Sequence, residues 1–410
     1  MSLIREIPPT AGWPIETKNL IPPLFRRLPK GLLEEEFKKY LNAPSAVLTY
    51  SGTAAFYLIL ESLKGLSAKK TVVIPAFACP LIPLAIKKSG LKIIPCDLNQ
   101  DNFDFDINKL RQICAKDKDI LAILAVHLAG IPLELETIGK IAKENGIFII
   151  EDCAQSLGAE YRGRKTGSIG EFSFFSLCRG KGLTTYEGGL AITNQREYAQ
   201  LLENTAKKIL HPDILSECLK IAELFAYSIF YRPALFWFAF RLPQIFWRIR
   251  NNPVKAMGEY FESDFPVHKV STFREYIGYL HFPRLSKEIA GQREKTDYYL
   301  KALENLSGIK PITELSQTKA SYPYLTLVFD KPEKRDSALD IFKNSGLGIS
   351  QVYLHAITDY DYLKGIIPGI ACEQARGLAQ RTITLTTSSF LKKADLEKIV
   401  EKLKAVTRAR

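Results

Sequence analysis

Between about residue 44 and residue 195 the chain alternates short, unbroken apolar runs with longer stretches whose apolar positions recur at helical spacing. The runs are Ala46–Thr49, Val72–Pro75, Lys92–Pro95, Ile120–Val126, Ile147–Ile150 and Glu171–Phe175. Ala54–Gly65 and Leu135–Asn145 carry the helical pattern, and Gly146 closes the second. Runs that are apolar on both faces read as fully buried strands, and strands alternating with helices predict an α/β fold around a mostly parallel sheet. Ligands in such sheets bind beyond the carboxyl ends of the strands, so the polar residues just after each run are the ones that matter.

The pattern changes after residue 200. A helical stretch leads into the aromatic-dense segment 224–250, and the remainder reads as a smaller α+β unit. Its expected elements are a helix over about 286–305, a strand Tyr322–Val328, an amphipathic helix 332–344, a strand near 348–353 and a final helix 393–406. The expected division is a large domain over 1–200, a helical insertion over 201–265 and a small C-terminal domain over 266–410.

Composition narrows the class. With 46% hydrophobic and 24% charged residues in 410, disordered, collagen-like and disulfide-scaffold chains are excluded. No apolar run approaches the ~20 residues of a spanning helix, and the opening residues MSLIREIPPTAGWPIETKN lack the apolar core of a secretory leader. Seven cysteines without CxxC spacing fit the reduced thiols of a cytoplasmic protein. Five isolated histidines without HExxH spacing predict no metal site. A net charge of +12 admits an anionic substrate, an anionic membrane surface or nucleic acid.

Three constellations could carry chemistry. Tyr50-Ser51-Gly52-Thr53 runs from a strand end into a helix, where free N–H groups and the helix dipole favour a phosphate; a plain helix cap would look the same. Ile149-Ile150-Glu151-Asp152 ends an apolar strand in two carboxylates, of which one could cap a helix and one could pair with a protonated ring nitrogen. Lys181 follows an apolar strand and is flanked by Gly180 and Gly182. Most lysines are solvated, but one in a semi-buried pocket can form a Schiff base. A phosphate seat, a strand-end acid and a glycine-flanked lysine together are the parts of a pyridoxal-phosphate site.

The wording of these stretches resembles the DegT/DnrJ/StrS sugar aminotransferases, which share the fold-type-I architecture. The stretch HLAG…EDCAQSLGAEYRGRKTGSIGEFSFFSLCRGKGLTTYEGG, from His127 to Gly189, matches that family's pattern in order and spacing. The resemblance sets the family's FSF triplet on Phe175-Ser176-Leu177 rather than Phe172-Ser173-Phe174. It implies that Lys181 is the Schiff-base lysine and Asp152 the partner of the pyridinium nitrogen. Gln155 would contact the cofactor ring, while Ser176, Gly52 and Thr53 would seat the phosphate. Where the family carries a ring-stacking aromatic this chain has Cys79, with Phe77 two residues earlier, so either could cover the ring. The asparagine that reaches the partner subunit's phosphate is absent from Val267-His268-Lys269-Val270-Ser271, leaving His268 or Lys269 for a cross-subunit contact. Tyr353 and His355 fall where a sugar-contact loop is expected. Tyr186 replaces a glycine, and Leu385–Ser389 lacks the family's histidine and prolines.

The resemblance therefore implies a homodimer that transaminates a nucleotide-diphosphate keto-sugar, with glutamate as donor and pyridoxal phosphate, passing through pyridoxamine phosphate, as cofactor. A dehydratase of the same family is the alternative enzyme, but those members carry histidine where Lys181 stands. A non-enzymatic DNA-binding regulator is the third reading, and no recognition-helix pattern supports nucleic acid. The segment 224–250 lies outside the resemblance. It holds ten aromatics, two prolines and four arginines, which fits either a helical pair packed on the protein itself or buried in the dimer, or a peripheral contact with a membrane surface.

Overall fold

The computed structural model describes residues 5–408; Met1–Ile4, where the leader expectation begins, lie outside the described residues. Among the described residues thirteen strands occur in chain order: β1 Ser45–Thr49, β2 Thr71–Pro75, β3 Lys92–Cys96, β4 Ile120–Val126, β5 Phe148–Asp152, β6 Glu160–Tyr161, β7 Arg164–Lys165, β8 Phe172–Ser176, β9 Gly189–Thr193, β10 Ile309–Pro311, β11 Thr318–Lys319, β12 Tyr324–Phe329 and β13 Thr382–Thr386. Seven form one sheet in the order β1-β9-β8-β5-β4-β2-β3. Neighbours from β8 to β3 pair in parallel, and β9 runs antiparallel to both β8 and β1. The expected α/β architecture holds. β2 and β4 are buried at every position, as strands covered by helices on both faces require.

This topology gathers the strand ends that matter. After the edge strand β3 the chain turns back and lays β4, β5 and β8 on the other side of β2. The carboxyl ends of these strands and of β1 therefore open towards one region. Gly189 pairs with Thr49 of β1 and with Ser176 of β8. A Cβ on Gly189 would lie 2.4 Å from the Gly52 nitrogen, so only glycine lets the helix Gly52–Leu63 start against Ser176. Ser51 caps that helix, its Oγ accepting the Ala54 N–H at 3.1 Å.

The C-terminal unit is a three-stranded antiparallel sheet, β10-β12-β13, covered by the helices Leu285–Leu303, Pro332–Phe342, Glu373–Arg381 and Lys393–Arg408. The strand expected near 348–353 is a loop, joined to the sheet by an isolated bridge from Ser350 to Thr384. The strand expected from Tyr322 starts at Tyr324, because Tyr322 takes a left-handed φ of 50° ahead of Pro323. Residues 5–13 thread between the units: Ile7 N–H bonds Gly346 O, Ala11 N–H bonds Pro323 O and Trp13 N–H bonds Gly182 O. The aromatic-dense segment is a pair of helices, Ile214–Phe230 and Pro233–Ile249, the second beginning with proline at its first turn. Among the described residues no helix is long and apolar enough to cross a membrane.

Candidate active site

A cavity of about 300 Å³ lies beyond the ends of β1, β4, β5 and β8, and both Asp152 and Lys181 line it. Asp152 ends β5 and is 5% exposed. One carboxylate oxygen accepts the Ala154 N–H at 2.9 Å, and no cation forms an ion pair with it among the described residues. Burial pushes its carboxyl up to about 6, against the opposing pull of the Ala154 N–H and the Lys181 charge. Lys181 is half-buried in the loop between β8 and β9. Its ammonium has no hydrogen-bond or ion-pair partner among the described residues. It is the only lysine lining the cavity among them. The loop is held from within by Leu177 N–H to Gly188 O and Arg179 N–H to Tyr186 O. It is held from outside by the Thr10 hydroxyl on Gly180 O at 2.5 Å.

Gly52, Thr53 and Ser176 share the same cavity. A Cβ on Gly52 would sit 3.0 Å from the Ser176 Cβ, which shows how closely the helix start approaches the end of β8. The N–H groups of Gly52 and Thr53 have no acceptor among the described residues, as expected of the first helical turn. Ser173, the serine of the rejected triplet, sits below the sheet and donates to Gly167 O at 2.8 Å. Unpaired N–H groups with a serine suit a phosphate, a buried lone carboxylate suits a cationic ring nitrogen, and an uncommitted amine suits an aldehyde. The residues present fit pyridoxal phosphate.

Gln155 lines the cavity and is tied in place. Its Oε1 accepts the Ala129 N–H at 3.0 Å and the Tyr324 hydroxyl at 2.5 Å, while Nε2 donates to the Tyr353 hydroxyl at 3.5 Å. Cys79 reaches the cavity and Phe77 does not. Phe77 is packed behind the wall against Phe103 and Tyr353, so it cannot serve as the ring cover. Tyr353 lines the cavity, whereas His355 stands aside, edge-on to Tyr360.

The segment 267–271 departs from its expectation. The His268 ring is buried within its own chain, bonded to the Ser216 hydroxyl at 3.1 Å and Lys269 O at 2.9 Å, and tilted against Tyr50 at 4.3 Å. It is committed there and is not free for a neighbouring subunit. Lys269 is exposed and opens on a separate groove of about 700 Å³. Arg274, fully buried, is clamped by Glu217 and donates to the carbonyls of Thr185 and Glu187, fastening the far end of the lysine loop. Sequence reasoning missed this residue, and it missed Thr10 and Trp13. Trp13 lines a small void beside Lys181, and its indole N–H has no partner among the described residues. Thr10 meets Gly180 across 170 residues, and Arg274 meets Thr185 and Glu217 across 89 and 57, so no local motif announces these contacts.

His127, Glu151 and Cys153 bring their donor atoms within 4.8 Å of one another in the core. His127 Nδ1 accepts the Leu133 N–H, so its Nε2 carries the proton and donates to Glu151 at 3.0 Å. Glu151 also accepts three backbone N–H groups, so His127 and Glu151 spend their lone pairs on hydrogen bonds.

The model of the "DegT/DnrJ/EryC1/StrS aminotransferase family" matches residues 30–209 and 267–404. Among curated relatives, GDP-perosamine synthase of Escherichia coli O157:H7 is 34% identical over 164 residues, 40% of this chain and 44% of that protein. GDP-4-keto-6-deoxy-D-mannose 3-dehydratase of Yersinia pseudotuberculosis is 31% identical over 175 residues, 41% of this chain and 44% of that protein. The matched region thus spans less than half the length of these two relatives. Among solved structures, PseC of Helicobacter pylori, titled an aminotransferase involved in the biosynthesis of pseudoaminic acid, superposes with a TM-score of 0.78 at 17% identity, over 99% of this chain and 100% of that one.

Proposed function

The chain belongs to the DegT/DnrJ/EryC1/StrS aminotransferase family, and on that premise we propose that it is a pyridoxal-phosphate-dependent aminotransferase. Its amino acceptor is the ketone of a nucleotide-diphosphate-linked sugar, and its donor is glutamate. The observation that carries this reading is the meeting of unpaired Asp152 and uncommitted Lys181 in one cavity. When bound there, pyridoxal phosphate supplies an aldehyde that takes up amines and a ring that accepts electrons.

The chain's own residues do the rest. The N–H groups of Gly52 and Thr53 and the Ser176 hydroxyl hold the phosphate end. Asp152 keeps a proton on the ring nitrogen, and its burial makes that pairing strong because no water competes. Gln155, fixed by Ala129 and Tyr324, would contact the ring. Lys181 Nζ holds the aldehyde end at rest and moves the proton during transfer. Leu128, Phe261 and Tyr353 form walls that exclude water on the substrate side.

The resemblance also supports a homodimer, with Lys269 as the group of 267–271 that is free to reach outward. The dehydratase reading is disfavoured by Lys181, which stands where the dehydratases of this family carry histidine. The test is to convert the holoenzyme to its pyridoxamine form and titrate it with a panel of nucleotide keto-sugars. Return of the pyridoxal absorbance with one of them, and its reversal by glutamate, is the expected result. No return with any keto-sugar, but return with simple 2-keto acids alone, would overturn the substrate class.

A further inference from the structure

The helical pair packs Leu224, Tyr227 and Tyr231 on its own core and still turns a second apolar stripe outward. On Pro233–Ile249 the exposed apolar residues are Phe238, Leu242, Ile245, Phe246 and Ile249, a spacing that forms one stripe along a helix, and Ile249 is 79% exposed. The opposite side carries the polar groups. Gln244 is buried, and Arg241 is bound to the buried Glu6 at 2.7 Å. On Ile214–Phe230, Leu215, Leu219, Ile229 and Phe230 face out, Leu215 at 83%, while Glu217, Leu224 and Tyr227 face in, Glu217 to Arg274. A helix that serves only its own core buries its apolar stripe.

A second exposed apolar cluster adjoins the first helix. Thr17 and Ser228 share a hydrogen bond at 2.8 Å, and beyond it Ile21, Leu24 and Phe25 are exposed, Phe25 at 82%. Both clusters lie outside residues 30–209 and 267–404, the parts that match the family.

Around the second helix and the Ile21–Arg27 turn the charge is of one sign. No acidic residue occurs between Glu223 and Glu259 or between Glu16 and Glu34. Arg26, Arg27, Arg232, Arg248, Arg250 and Lys255 have no acidic partner among the described residues. Arg250 lies over the Phe246 ring at 4.1 Å, placing a cation at the margin of the apolar stripe. Apolar bodies edged by unpaired guanidinium groups match an acyl boundary edged by phosphates.

We propose that the helical pair and the Ile21–Arg27 turn dock this enzyme on an anionic lipid surface. The stripe of Phe238, Leu242 and Phe246 enters the headgroup boundary, and Arg26, Arg248 and Arg250 meet the phosphates. The inference does not depend on which reaction the cavity performs.

Pelleting of the holoenzyme with vesicles tests it, using phosphatidylcholine alone and phosphatidylcholine mixed with phosphatidylglycerol. The wild type is expected to pellet with the anionic vesicles and to be released by high salt. Arg248→Gln with Arg250→Gln weakens that binding about 30-fold, the equivalent of about 1 kcal/mol per arginine. Leu242→Gln with Phe246→Gln abolishes it, with cofactor absorbance and thermal midpoint unchanged because both side chains are exposed. Failure of the wild type to pellet at low salt overturns the proposal, as does equal binding to neutral vesicles. Sedimentation velocity covers the other occupant: if the Leu242/Phe246 variant splits an assembly that ignores vesicles, a second copy covers the stripe and the lipid assignment falls.

Discussion

Glu151 and Asp152 are neighbours in sequence and opposites in environment. Alternation along β5 turns Glu151 below the sheet and Asp152 towards the cavity. Glu151 accepts N–H groups from Gly167, Ile169 and Gly170 and the Nε2–H of His127. Burial pushes its carboxyl up, yet His127 and the backbone donors hold it below the usual range. Asp152 has a single N–H and is pushed up to about 6. One acid is satisfied within the chain and the other waits for a cation.

Asp152→Asn separates stability from activity. A carboxyl raised in the folded state contributes stability below its unfolded value of 3.8 and loses it as pH rises through about 6. The cofactor-free Asn variant is therefore more stable than wild type by about 2–3 kcal/mol at pH 8, and the two converge below pH ~4. Urea unfolding across pH reads this difference. Transamination by the loaded variant falls by about 100-fold or more, because an amide cannot hold the ring proton.

Glu151→Gln acts in the other direction. An amide oxygen can replace one carboxylate oxygen, but its NH₂ would face the donors that the other oxygen served. The variant loses about 3 kcal/mol in urea unfolding. The loop 167–170 becomes the first region to exchange amide hydrogens.

Glu275 supplies a pH dependence away from the site. Burial and the neighbouring Glu34 push its carboxyl up to about 7, while it accepts the Leu33 N–H. Its stabilising contribution is lost as pH rises from 4.5 through about 7. Glu275→Gln should exceed wild type by about 1–2 kcal/mol at pH 8 and match it at pH 4. A constant difference at both pH values would show that the carboxyl does not titrate in this window.

Much of the cofactor half is legible in the sequence because its strands are unbroken apolar runs. Leu135–Asn145 and the carboxyl end of β5 fall where the pattern puts them. Thr382–Thr386 escaped because alternating threonines look polar, although every position in that strand is buried. The loop at 348–353 reads as a strand because Ile349 and Val352 are β-branched, yet both are only half-buried and neither alternates with a buried face. His268 could not be resolved locally: its partner Ser216 lies 52 residues earlier, in the helical pair. Composition marked 224–250 as unusual, but only the structure reveals which side of each helix turns outward.

The central claim is that Lys181 is the amine that engages the cofactor. Borohydride reduction of the yellow holoenzyme, followed by digestion and mass spectrometry, tests it directly. The pyridoxyl label should appear on the peptide containing Cys178-Arg179-Gly180-Lys181, and Lys181→Ala should abolish both the label and turnover while leaving the fold intact. A label on any other lysine, or sustained turnover by Lys181→Ala, would contradict the assignment.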